Sequence, residues 1–471
     1  MKPSHGKSYF GQHSNLNRRS FLKGTTAGAA GLVGAGALGG LMPRAAIAAG
    51  DPLVFGFWPW GSEIVTSNAE MFMAEHNEQV ELMPIPGDYA AVLETKLASG
   101  TKLDMFYAQR GQASRWYAAG WIRPIDDLPG LDQIRSEMFD GLDEDTLAHD
   151  GKYLGLTYYN GGPFCLFRNE KLLDAGGHGG TSNASDYPTT WEEVANISRD
   201  LKKKGISEHP LMISWYNAWT GLPWALTAHC FSEGDHLVGP DLRATFDENT
   251  PIVKVLTDWK QWWDEGLIPP GILTMQESTM LNAYATGEHA FLHYMDYAHF
   301  IFGDKSNENI GPYSNQNPLT PGATNDTCLV GHALLCMDNS DRSEEDLLRA
   351  WELMKFYGWQ NSSGEYHTHK RWVEKANLPI PFPAVYSDPE SKAALMKWMH
   401  PEFGEQAYQW QFEGRKRALG PNHLKAPWYQ EWDAVMHDMI SNDLIVNGSI
   451  TPKEAVKELR KLWDKMHAKY M

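Results

Sequence analysis

The sequence predicts an α/β chain of two lobes, each built on a mainly parallel sheet flanked by helices. Short apolar runs alternate with amphipathic stretches along the chain, the pattern of strand and helix repeats that feeds a parallel sheet. Once an N-terminal export segment is set aside, roughly 420 residues remain, more than one hydrophobic core ordinarily supports. Three stretches carry helix-start signals: Thr190 with Glu193, Ser343 with Asp346, and Thr451 with Pro452 and Glu454. No internal repeat or long linker interrupts the series.

The first 50 residues contain no Asp or Glu but six bases, Lys2, Lys7, Arg18, Arg19, Lys23 and Arg44. "NRRSFLK", a Gly/Ala-rich stretch over 24–42 and "AIA" ending at Ala48 supply the basic, apolar and small-residue zones of an export signal over 1–48. Arg18 and Arg19 before "SFLK" resemble a twin-arginine signal, which implies delivery of a folded chain to the periplasm. "GAGALG" within this segment matches G-x-G-x-x-G but follows no predicted strand, so it is set aside as a dinucleotide site. Without the six bases the chain keeps 35 basic against 59 acidic side chains, a net charge near −24 that disfavours nucleic acid and anionic lipid as partners. No later stretch is long and apolar enough to span a bilayer.

"LVFGF" over 53–57 reads as the first strand of the remaining chain. Pro59 lacks an N–H and ends it, leaving Trp58 and Trp60 in a loop. A helix over 68–77, a strand at "VELMPI", a helix over 89–99, a strand at "LDMFYAQ" and a helix over 112–119 follow. "TTWEEVANISRDLKKKG" places Val194, Ile197 and Leu201 on one helix face. Cys165, Cys230, Cys328 and Cys336 make no disulfide framework and read as small buried apolar side chains.

The order of the motifs says more than any one of them. "LASGTKLDMFYAQRGQASRWYAAGWIRPIDDL" is followed by "DGKYLGLTYYNGGPFCLFRNEKLLDAGG", "PTTWEEVANISRDLKKKG", "YATGEHAFLHYMDYAHF" and "LVGHALLCMDNSDRSEEDLLRAWELMKFY". This series, spanning about Leu53 to Met466, resembles the family 1 extracellular solute-binding proteins of ABC importers, the group that includes the maltose-binding protein. The resemblance implies the two-lobed periplasmic binding protein fold, closing by a hinge on a ligand in the cleft between lobes. It places the chain crossings near 157–162, Pro318 and His369. Residues 50–158 and 319–368 would then form the first lobe, and 159–318 and 369–471 the second. It further implies capture of a small carbohydrate or polyol without chemistry, ABC permease subunits in the inner membrane as partners, no cofactor, and a monomer.

Loops at the carboxyl ends of parallel strands line the crevice of open α/β sheets, and Trp58 and Trp60 occupy such a loop. A sugar ring stacks its C–H face on an aromatic plane and needs hydrogen bonds at its rim, and tryptophan supplies a plane and an N–H. Carried over position by position, the resemblance adds Tyr107, Gln109 and Arg110 after the third strand, and Tyr159 and Asn160 at the first crossing. It also adds Trp215, Tyr216 and Trp219 in "SWYNAWTGLPW", Asp296 and Tyr297 after "GEHAFLHYM", His332, and Trp428 in "APWYQEW". Gly162 stands where the maltose-binding protein has a carboxylate, so the resemblance does not imply a maltodextrin.

Enzyme readings have weaker support. "HAFLH" at 289–293 lacks the Glu of H-E-x-x-H, and the family reading makes it a strand. His367 and His369 could meet a metal at a sheet edge but fall short of the usual three or four ligands. No G-x-S-x-G elbow is present. The alternative is an exported carbohydrate-active hydrolase with a carboxylate pair in the same cleft.

Overall fold

A computed structural model describes residues 50–140, 142, 147–148, 150–160, 162–179, 187–216, 221–317, 319–329, 333–399 and 404–471. The export segment, Trp219, Pro318 and His332 lie outside the described residues. From Asp51 to Met471 the chain clusters as one compact unit, within which two sheets carry separate hydrophobic cores.

The strands are β1 (Leu53–Phe57), β2 (Val80–Pro84), β3 (Met105–Gln109), β4 (Leu156–Tyr159), β5 (Phe164–Asn169), β6 (Leu211–Ile213), β7 (Phe291–Met295), β8 (Ser314–Gln316) and β9 (Ala333–Cys336). The first sheet has the order β2-β1-β3-β9-β4 and the second β6-β7-β5-β8. β1 pairs in parallel with β2 and β3, and β6 with β7. The sheets are mainly parallel, as the sequence predicts, with one strand reversed in each. β9 runs against both β3 and β4, and β5 against both β7 and β8. These two strands are the first their sheet receives after the chain arrives from the other half. They start at the crossing, where their neighbours end, and so run the opposite way.

Three chain crossings lie side by side. Pro163 bridges Leu329, and Leu419 joins the next segment through Leu329 N–H to Leu419 O and Leu419 N–H to Thr327 O, both 2.9 Å. The third crossing was expected near His369, but that residue sits in the helix His367–Ala376, whose Trp372, Val373 and Ala376 pack into the first core. Tyr386, Leu395 and Tyr408 stay with that core, and Leu424 to Met466 belong to the second, so the chain crosses between them, beside Leu419. Nothing in a local helical pattern says which of two cores its apolar face will meet.

The helix starts follow their signals. Thr190 and Glu193, and Thr451 and Glu454, form reciprocal capping boxes, and Ser343 Oγ accepts from Asp346 N–H at 3.1 Å. The first helix, Ser62–His76, begins six residues before its predicted start, with Gly61 at φ 67° ahead of it. All four cysteines are buried and unpaired.

Candidate ligand-binding site

The loop after β1 places Trp58 and Trp60 on the first half of the site. Trp58 is half-buried and lies 4.4 Å from the Tyr107 ring, 5.3 Å from Tyr89 and 6.4 Å from Tyr159. Tyr89 is fixed in turn by its hydroxyl, which donates to Tyr107 O at 2.8 Å. Trp60 stacks on Trp372 with centroids 5.3 Å apart and planes 11° from parallel. Trp372 Nε1 donates to the Tyr158 hydroxyl, holding the indole edge-on to the end of β4. Offset stacks of this kind contribute about 0.5–1.5 kcal/mol beyond the area they bury.

Gly61 makes the stack possible. A Cβ there would come within 2.3 Å of Trp372 Cη2, and its φ of +67° is one that side chains with a Cβ adopt at a cost. Gly61→Ala is expected to displace the Trp372 indole and lower stability by about 1–3 kcal/mol. Urea unfolding followed by tryptophan emission measures this; an unchanged midpoint would mean that the indole has room to yield.

The second half supplies hydroxyls and a carboxylate. Tyr297, just past β7, packs against both cores and so marks the seam between them. Its hydroxyl donates to Glu277, the first residue of the helix Glu277–Tyr284. Tyr294 and Tyr216 extend the chain of hydroxyls, at 3.5 Å and 3.1 Å. Burial pushes the Glu277 carboxyl up, and the tyrosine hydrogen bonds pull it back only in part. Burial raises the Tyr159 phenol too, and the Glu277 charge adds to that shift, which places the carboxylate within electrostatic reach of the end of β4.

Of the predicted residues, Trp58, Trp60, Tyr107 and Tyr159 group with the first core and Tyr216 with the second, while Tyr297 touches both. Gln109 and Arg110 open the neighbouring helix Arg110–Ala118 and line a small cavity with Tyr429 and Asp433, and Arg110 reaches Pro421 O at 3.5 Å. Asn160 is buried at the first crossing, its N–H bonded to Pro379 O at 2.8 Å.

Three predicted ligand contacts are committed elsewhere. Asp296 is 1 % exposed and paired with Arg415 at 2.7 Å beside the crossing strands. Trp215 is fully buried 4.8 Å from Trp259, turned into the helical layer of the second core. Trp428 is sealed between Trp463 and Tyr470 of the C-terminal helix Pro452–Tyr470. In each case a side chain that was expected at the cleft from its place in the sequence serves packing, because a core partner from a distant segment claims it.

Sequence reasoning missed Glu277, Trp372, Tyr89 and Tyr294. Glu277 in "TMQESTM" has no motif around it, and Trp372 stood beside Lys370 and Arg371 without a cue that Trp60 would cover it. "HAFLH" supplies β7, as the family reading held, and His293 is buried between Phe164 and Trp191. His367 and His369 sit on a helix rather than a sheet edge, and His369 is enclosed by Tyr158, Tyr366 and Phe382. Among the described residues no group of three or more His, Cys, Asp or Glu side chains could hold a metal ion.

A model of the bacterial extracellular solute-binding proteins matches residues 68–397, well over half of the chain. The chain belongs to this family. The solute-binding fold extends to solved structures of low identity. The maltose-bound MalE3 of T. maritima superposes with a TM-score of 0.69 at 17% identity, covering 88% of this chain and 99% of that one. An ABC transporter solute-binding protein of Thermotoga lettingae bound with α-D-tagatose gives 0.70 at 19% identity, covering 88% and 99%. One from Agrobacterium radiobacter in complex with ribitol gives 0.69 at 16%, again covering 88% and 99%. No curated protein matches this solute-binding chain. Among the described residues no helix is long and apolar enough to cross a membrane.

Proposed function

We propose that this chain is the periplasmic substrate-binding component of an ABC importer, exported through a twin-arginine signal over 1–48, and that it captures a carbohydrate or related polyol by hinge closure. The observation that carries this reading is the aromatic seam. Trp58 clusters with Tyr107 and Tyr159 and Trp60 stacks on Trp372 in one half, the other half carries Tyr216, Tyr294, Tyr297 and Glu277, and Tyr159 lies within electrostatic reach of that carboxylate. Ring faces stack on sugar C–H surfaces, and the rim accepts from and donates to sugar hydroxyls.

In this reading the lobes comprise roughly residues 50–159 with 329–417, and 160–328 with 418–471, following the two cores. A ligand touched by both halves favours the closed form over the open one, and permease subunits recognise that form while the solute leaves unaltered. The protein acts as a monomer. Family membership and the sugar- and polyol-bound neighbours favour binding over hydrolysis.

A thermal-shift screen across mono- and oligosaccharides and sugar alcohols is expected to find ligands that raise the melting temperature by mass action. For the best of them, Trp58→Ala and Trp60→Ala should each weaken calorimetric affinity about ten-fold or more, roughly 1.4 kcal/mol. Unchanged affinity in both variants would remove the seam from the site. Turnover of an oligosaccharide well beyond the protein's molar amount would replace binding with the hydrolase alternative.

A further inference from the structure

Four enclosed carboxylates of this protein are matched to guanidinium groups, while Asp235 is met by the backbone N–H groups of Leu237 and Ile252. Asp296 faces Arg415, Glu170 faces Arg168, and Asp104 and Asp338 share Arg342. This is the ordinary solution, since a desolvated anion is costly unless a cation and hydrogen bonds meet it. Glu277 departs from it. Its interactions are with tyrosine hydroxyls, Tyr297 and Tyr294, and no ion pair among the described residues reaches it.

The cations near the seam are engaged elsewhere. Arg371, next to Trp372, is held by Ser67 Oγ at 2.6 Å and Asn68 Oδ1 at 2.7 Å, and Arg110 turns toward Pro421. What does surround Glu277 is aromatic: Tyr294 and Tyr297 on its own half, with Tyr159 across the seam and Trp58 beyond it. A carboxylate with no ion pair among the described residues, met by phenol hydroxyls and with further aromatic side chains nearby, forms an environment that attracts a cation. Glu277 opens the helix Glu277–Tyr284, whose N-terminus favours a negative charge there, while burial raises the carboxyl above its usual range.

We propose that Glu277 selects a ligand carrying a protonated amine on a polyhydroxylated frame, an amino sugar or amino polyol, with the ammonium group between the carboxylate and the tyrosine rings. This rests on the binding-protein reading above and narrows its ligand class. The net negative charge of the exported chain acts in the same direction, drawing cations toward the seam.

The test is calorimetric titration with matched probes, D-glucosamine and its β-1,4-linked dimer against D-glucose and cellobiose, with tetramethylammonium as a bare cation. At least one amine probe is expected to bind about ten-fold more tightly than its neutral partner. Glu277→Gln, which keeps the acceptor for Tyr297, is expected to bring that ratio to within about two-fold while the ligand-free melting temperature holds. Equal or tighter binding of the neutral partners, a ratio that survives in the variant, or no binding of any amine or tetramethylammonium would overturn the proposal. Binding of neutral sugars in that outcome leaves solute capture standing, so the two failures are distinct.

Discussion

Replacing Arg415 by Met is expected to lower unfolding stability by about 3–5 kcal/mol, the cost of leaving one member of a buried ion pair without its partner. Apart from Arg415, that charge is met among the described residues only by the uncharged Gln411 side chain and the Tyr297 backbone. Asp296 Oδ2 lies 2.7 Å from Arg415 Nε with both side chains 1 % exposed, and the other guanidinium nitrogens reach Tyr386 Oη at 3.0 Å and Asn377 O at 3.1 Å. Asp296 follows β7 of the second sheet, whereas Arg415 lies in the last turn of a helix, Gly404–Arg417, whose Tyr408 joins the first core and donates to Tyr386 O. The pair therefore ties the two halves together next to the crossing strands, where Asp296 N–H also donates to Pro163 O at 3.0 Å. Gly162 leaves space for it, since a Cβ there would stand 2.4 Å from Asp296 Oδ1. Urea titration measures the loss. The double variant Asp296→Leu/Arg415→Met should regain most of it, because removing both charges removes the desolvation cost as well. A loss below about 1 kcal/mol in the single variant would show that water reaches the pair.

Acid should unfold this protein through its buried histidines. Burial drives His293, His369 and His423 from the ordinary 6.5 down to about 3, so each is neutral when folded and free to take a proton when unfolded. The depressed folded value fixes the sign: stability is intact above pH 6.5 and falls as pH drops, until protons bind the folded form near pH 3. Each histidine contributes a slope of about 1.4 kcal/mol per pH unit across that window, and the three together about 4. The surroundings explain why the charged form is rejected. His293 is packed by aromatic rings, His369 sits between Tyr158 and Phe382, and His423 has the Thr227 hydroxyl at 3.2 Å with Arg110 close enough to oppose a second positive charge. Urea unfolding at pH 7.5, 6 and 5 should show the decline, and because burial also lowers His229, His293→Phe should reduce its slope by about a quarter at most. A pH-independent midpoint between 7.5 and 5 would mean that these imidazoles protonate within the fold.

Much of the architecture was legible because it is written in local chemistry. Pro59 does follow the end of β1, and the caps at Thr190, Ser343 and Thr451 form as their spacing implied. Trp58, Trp60 and Tyr159 were placed by their position at or just after a strand end of the first sheet, whereas Tyr107 lies in the middle of β3. The errors share one cause. Trp215 follows β6 in the same way, yet Trp259 from a later helix closes over it. Asp296 was legible as a polar group with a purpose, but its partner lies 119 positions away on a helix that carried no sign of it.

The sequence by itself determined the order of strands and helices and the richness of the seam in indole and phenol rings, since propensity, capping and the two-residue strand period act over a few neighbours. Only the tertiary structure decided that β5 and β9 run backward, that helices after His367 join the first core, and that Trp372 lies under Trp60, although it hydrogen-bonds Tyr158 from 214 positions away. It also decided that Glu277 meets its tyrosines without a cation. Such outcomes depend on which surfaces meet when two cores close, and a contact between distant segments leaves no mark on either segment alone.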